Sequence, residues 1–107
     1  MSKYMFLYRA PAQPKAEMTP EEAQERSAAF GAWMAKVGGA LVDVGCPFGT
    51  SVSVRDDGAE AAALDLIGYS MLEAEDLDEA KAFTVGLPLL AGGTGVCSVE
   101  IFELASM

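Results

Sequence analysis

Asp43 has the setting in this sequence that most favours chemistry. It stands in Leu41-Val42-Asp43-Val44, a carboxylate among apolar neighbours. Removing such a group from water raises its pKa and fits it to act as a general base. The plain alternative is that Asp43 faces solvent at a strand edge, or pairs with Arg9 or Arg55. Those arginines fall at strand ends, where a guanidinium could clamp a carboxylate or phosphate bidentately or simply be surface charge. Tyr69, Tyr4 and Tyr8 could aim hydroxyls into a pocket, although tyrosines in a sheet also serve as packing. Cys46, next to Pro47, has no histidine and no nearby lysine to activate it as a nucleophile.

The chain has no histidine at all, so a metal site would have to be built from oxygen ligands alone. The acidic group Glu73, Glu75, Asp76 and Asp78 has a simpler use as a capped, solvated helix start. Gly92-Gly93-Thr94-Gly95 resembles a phosphate loop in glycine content only, because a strand rather than a helix follows it. It reads as a turn. Neither a metal nor a cofactor is expected.

Composition narrows the classes of partner. At 107 residues the chain suits one domain, spanning 1–107, and 51% apolar residues give it a core. The formal net charge of −9, with seven scattered basic residues, opposes binding to a polyanion such as nucleic acid. The opening apolar run ends at Arg9, well short of a signal-peptide core. No later segment approaches the roughly 20 apolar residues of a membrane span. Cys46 and Cys97 lie far apart without metal-like spacing. Reduced thiols in a cytosolic, cytoplasmic protein are the expectation, with a disulfide as the alternative.

The elements that must position these residues follow from pattern. Lys3 to Arg9 is a strand with Tyr4, Phe6 and Tyr8 on one side and Met5 and Leu7 on the other. Ala10 to Met18, with Pro11 and Pro14, is a loop. Thr19-Pro20-Glu21-Glu22 combines a threonine N-cap, proline at the first helical position and glutamate at the third. That helix is expected to reach about Val37, with Ala23, Phe30, Trp33, Met34 and Val37 as its apolar stripe and Gly38-Gly39 as its stop. Leu41 to Cys46 is a second strand and Thr50 to Arg55 a third, joined through the Cys46-Pro47-Phe48-Gly49 turn. In the second strand Val42, Val44 and Cys46 are expected on the helix side, with Leu41, Asp43 and Gly45 on the other. Asp56-Asp57-Gly58 is a turn, and Ala59 to Leu66 is ambiguous between a loop and one helical turn.

From Ile67 to Phe83 a buried strand runs into an amphipathic helix capped by Asp76 and Glu79, with Ala80, Phe83 and Leu87 as its apolar positions and Pro88 as its end. Leu89 to Gly95 is a loop. Val96 to Leu104 is a last strand with Cys97, Val99 and Ile101 on one face and Phe102 on the other. Trp33 and Phe83 are the expected core anchors of the two helices.

The resulting β-α-β-β-β-α-β order is the ferredoxin-like plan, an α+β fold with an antiparallel sheet and two helices on one face. Two helices cover one side only, yet the first and last strands offer large apolar groups to both. Either the pattern is imperfect or a second copy of the chain covers the open side. The expected arrangement is a homodimer through that side, with Tyr4, Phe6 or Tyr8 in or near the interface.

Several segments together resemble the YCII-related proteins, most closely their DGPF branch. They are Lys3-Tyr4-Met5-Phe6-Leu7-Tyr8, the Thr19-Pro20-Glu21-Glu22 helix start, Gly38 to Gly45, and Gly68-Tyr69-Ser70-Met71-Leu72-Glu73-Ala74-Glu75-Asp76-Leu77-Asp78-Glu79-Ala80. The resemblance covers nearly the whole chain. It implies a dimeric α/β-barrel, two ferredoxin-like sheets packed face to face around a central space, in a bacterial protein of unassigned function. Two departures matter. Asp57-Gly58 is followed by Ala59-Glu60 where the branch has Pro-Phe. The histidine that some members pair with an aspartate matching Asp43 is absent.

Three functions remain open at this level. One is a homodimer holding a small apolar or weakly polar molecule between its sheets. Another is a cofactor-free enzyme of isomerase, lyase or oxygenase-like type with Asp43 as base and Arg9, Arg55 and Tyr69 as binding residues. The third is a regulatory or interaction module acting through the dimer surface.

Overall fold

A computed structural model describes residues 1–10, 19–61, 63, 65–91, 93 and 95–105. Most of the expected Ala10–Met18 loop therefore lies outside the described residues, as do positions within the Ala59–Leu66 segment and the glycine-rich turn. The elements run β1 (Ser2–Arg9), α1 (Pro20–Val37), a 3-10 turn at Gly38–Ala40, β2 (Leu41–Asp43), β3 (Ser53–Val54), β4 (Glu60–Ala61), β5 (Leu66–Ala74), α2 (Leu77–Ala82), a 3-10 turn at Pro88–Leu90, and β6 (Ser98–Glu103). The fold is α+β, built on an antiparallel four-stranded sheet in the order β2-β5-β1-β6. In that order each of the two parallel pairs, β2 with β1 and β5 with β6, is separated by one antiparallel strand, as interlocking split βαβ units require.

The helix starts form as their sequences dictate. Thr19 Oγ1 accepts a hydrogen bond from the Glu22 N–H at 3.1 Å, with Pro20 in the first turn. Asp76 Oδ1 accepts from the Glu79 N–H at 2.8 Å, and Glu79 Oε1 accepts in return from the Glu75 N–H at 3.2 Å. Each pair satisfies backbone donors that have no partner inside the helix. α1 ends where Gly38 adopts φ +56°, a conformation that costs a residue with a Cβ. α2 is only six residues long and closes at Phe83, short of Leu87.

Alternation in β1 sorts its two faces cleanly. Tyr4, Phe6 and Tyr8 are buried, and they sit opposite Leu72, Ser70 and Gly68 of β5. Trp33 and Val37 of α1, Ala80 of α2, Leu87 and Ala74 complete the core, with Val99 and Ile101 of β6 packed against it. This corrects the expected interface: the β1 aromatics belong to the chain's own core. Met5, Leu7, Tyr69, Met71 and Phe102 line the opposite face, and Phe102 is 54% exposed.

Four further corrections concern the rest of the chain. The second strand stops at Asp43, and a register shift between Leu41 and Asp43 sends Leu41 toward the core and Asp43 opposite Met71. Val42 and Val44, expected in the core, are 45% and 44% exposed. The third strand shrinks to Ser53–Val54 and leaves the main sheet to form a separate two-stranded ladder with Glu60–Ala61. Ala23 is exposed as well, because α1 meets the core only from Phe30 onward.

Trp33 joins the two helical segments. It is 2% exposed, and its indole N–H donates to the Phe83 carbonyl at 2.7 Å. Replacing Trp33 with alanine should cost about 3–5 kcal/mol in a denaturant melt. Half-buried Phe83 keeps part of its ring in water, so Phe83→Ala should cost less, about 1–2 kcal/mol.

Candidate functional site

The site forms where the chain leaves β2 and crosses β5. Asp43 Oδ1 accepts from the Gly45 N–H at 2.9 Å, a short aspartate turn that ends the strand. Gly45 itself has φ +74°, and a Cβ placed there would sit 1.8 Å from the Tyr69 carbonyl oxygen. The backbone can therefore pass this close to β5 only through a glycine.

Beyond Gly45 the chain is tied to β5 step by step. Cys46 O accepts from the Tyr69 N–H at 3.4 Å, Pro47 bridges Gly68, and the Phe48 N–H donates to Ile67 O at 2.8 Å. Beneath it lies a buried polar relay. The Tyr8 hydroxyl donates to Ser70 Oγ at 2.7 Å, and Ser70 Oγ donates to Val44 O at 2.7 Å.

These constraints bring Asp43 and Tyr69 together on the open face. The Tyr69 hydroxyl donates to Asp43 Oδ2 at 3.4 Å, a long contact that leaves that oxygen available to another donor. The Phe48 ring stacks on Tyr69 with centroids 5.9 Å apart and planes 18° apart. The result is one carboxylate with an aromatic wall, bordered by the half-buried Met71 and Leu7.

The Tyr69 pKa is raised above the ordinary tyrosine value. The Asp43 charge is the main cause, followed by loss of water, the neighbouring Cys46 and the hydrogen bond to Asp43. Tyr8 is also raised, by burial, with the hydrogen bond to Ser70 pulling the other way.

Two of the four residues expected at the site thus converge. Arg9 ends β1, exposed, beside Leu66 and Ser98. Arg55 lies in the turn between β3 and β4, where its N–H donates to Ala59 O. Neither arginine partners the Asp43 carboxylate, whose hydrogen bonds among the described residues come from Gly45 and Tyr69. Cys46 is free and exposed, and Cys97 is free and half-buried. Among the described residues no group of three His, Cys, Asp or Glu side chains is placed to hold a metal ion, and no helix is long and apolar enough to cross a membrane.

Phe48, Ser70 and Gly45 are participants that sequence reasoning passed over. Ser70 left a legible signal, a serine within the largely apolar run from Ile67 to Leu72. Phe48 left none, because its place on Tyr69 depends on the path of the whole turn. In comparisons with known proteins, neither a family model nor a curated protein matches this chain.

Two measurements probe this geometry. Gly45→Ala should lose at least about 2 kcal/mol of stability, since both φ and the Tyr69 carbonyl oppose a Cβ. Gly49→Ala, which meets nothing within 4 Å, should change little and serves as the control. In an ultraviolet pH titration Tyr69 should ionise above the ordinary value of about 10, because its phenolate would form beside a carboxylate. Asp43→Asn should bring that ionisation back down, and no change would break the Tyr69–Asp43 link.

Proposed function

We propose that this chain is a YCII-related protein of the DGPF branch, a cytosolic bacterial homodimer of ferredoxin-like sheets that binds a small apolar or weakly polar molecule. In this reading both helices lie on one side of each sheet, and the two free sides face each other as a dimeric α/β-barrel. The observation that carries it is the open face of the sheet. Met5, Leu7, Tyr69, Met71 and Phe102 give it an apolar character, which is unusual for the wet side of an antiparallel sheet. A bound molecule would lie against this face with Asp43 and the Tyr69 hydroxyl as its polar contacts. The segment resemblances in β1, at the α1 start and from Gly68 to Ala80 support the family assignment.

A second reading, cofactor-free catalysis, draws on the Tyr69–Asp43 contact. A carboxylate within reach of a phenol can accept a proton from a bound substrate while the phenol steadies the developing charge. Gly45 already occupies one oxygen of Asp43, so Oδ2 would be the working atom.

Light scattering after size exclusion, at micromolar concentration, should report twice the chain mass. Binding of small apolar probes with a weakly polar end should protect the Tyr69 resonances in NMR and weaken in Tyr69→Ala. A monomeric chain, or one whose Tyr69 signals ignore every such probe, would remove the basis for the proposal. Turnover abolished by Asp43→Asn, with binding retained, would favour the catalytic reading.

A further inference from the structure

We infer that the polar end of the bound molecule is a protonated amine, so that the Asp43–Tyr69–Phe48 corner receives a small organic cation with an apolar body. The inference rests on the reading of the open face as a small-molecule site and names the charge that site selects.

Hydrogen-bonding capacity at the corner is one-sided. Asp43 Oδ1 is used by the Gly45 N–H at 2.9 Å, but Oδ2 has, among the described residues, only the Tyr69 hydroxyl at 3.4 Å. That contact is too long to use the oxygen fully. The donors nearby are already engaged. The Tyr69 hydroxyl points to Asp43, the Tyr69 N–H to Cys46 O and the Phe48 N–H to Ile67 O, while Pro47 has no N–H. What remains on offer is an acceptor, and a ligand must bring the hydrogen.

Charge narrows the donor further. The open face sets Lys3 and Arg9 against Asp43, Glu73 and Glu100, two cations against three carboxylates. Lys3 stands opposite Glu73, and Arg9 lies across from Leu66 and Ser98. Arg55 shares its hairpin with Asp56, Asp57 and Glu60, so that segment is negative on balance too. An anion reaching the corner meets Asp43 first, with a chain of net charge −9 behind it.

The surroundings suit an ammonium better than a neutral donor. Covering the open face withdraws water from Asp43, and a carboxylate left there without a counter-charge is costly. An amine supplies the positive charge together with several N–H donors. The stacked rings of Phe48 and Tyr69 add the attraction of aromatic faces for cations, and Phe48 is 41% exposed. Met71 and Leu7 then meet the apolar body.

Three probes of one skeleton test the charge: 2-phenylethylamine, 2-phenylethanol and phenylacetate, titrated at neutral pH and followed by the Tyr69 resonances. The amine should bind about ten-fold more tightly than the alcohol, with phenylacetate weakest. Added salt should shrink that preference. Asp43→Asn, whose side-chain oxygen can still accept from Gly45, should bring the amine down to the level of the alcohol. Glu100→Gln removes a carboxylate elsewhere on the open face and should keep the preference. Equal loss in both variants would trace it to the general negative field and overturn the inference. If the three probes bind alike, or phenylacetate binds most tightly, the small-molecule site stands and the cation is overturned. If no probe moves Tyr69, both fall.

Discussion

A single polar relay through the core decides where the functional segment lies. Ser70 is completely buried on a sheet face otherwise made of Tyr4, Phe6, Tyr8 and Leu72. A hydroxyl in that setting is costly unless its hydrogen-bonding capacity is used. Tyr8 donates to it from β1, and it in turn donates to the Val44 carbonyl, which belongs to no strand. The core thereby fixes a loop. Moving Val44 would strand Ser70 and Tyr8 together, so the path from Asp43 to Phe48 is set from beneath by a requirement of the sheet. The glycine at position 45 meets the matching requirement from above, since it lets the backbone press against Tyr69.

Much of the frame was legible because it is written in local signals. Thr19 with Glu22, and Asp76 with Glu79, cap their helices through contacts three residues apart, well within sequence range. Strand alternation likewise separated Tyr4, Phe6 and Tyr8 from Met5 and Leu7. It could not say which set faces inward, because both are large and apolar. Packing decided that: Trp33 and Val37 meet the aromatics, whereas the thioether and leucine are left on the outside.

The site was less legible for a definite reason. Asp43 does face the open side, but not by the alternation that Leu41 to Cys46 suggests. A register shift after Leu41 puts Leu41 and Asp43 on opposite faces and turns the two flanking valines outward. Such a shift adds no marker residue of its own, and Val42 and Val44 are by type indistinguishable from core valines. The partnership of Asp43 with Tyr69 spans 26 positions and depends on this slip, so spacing alone could not order the candidates. Arg9 and Arg55 looked equivalent on the same grounds, yet one ends a strand of the main sheet and the other rides on a separate ladder.

The strand order has a consequence for how the sheet ends. On one side β2 is three residues long, kinked by its register shift and continued by Pro47, so a further strand finds little ladder to join. On the other side β6 presents six residues whose outer backbone groups, among the described residues, have no strand beyond them in the sheet. That border carries Glu100 on one face and Glu103 on the other, with Ile101 and Phe102 between them. Their negative charges act as gatekeepers, making each added edge repel the next. The sheet is thus closed to growth by geometry at one border and by charge at the other.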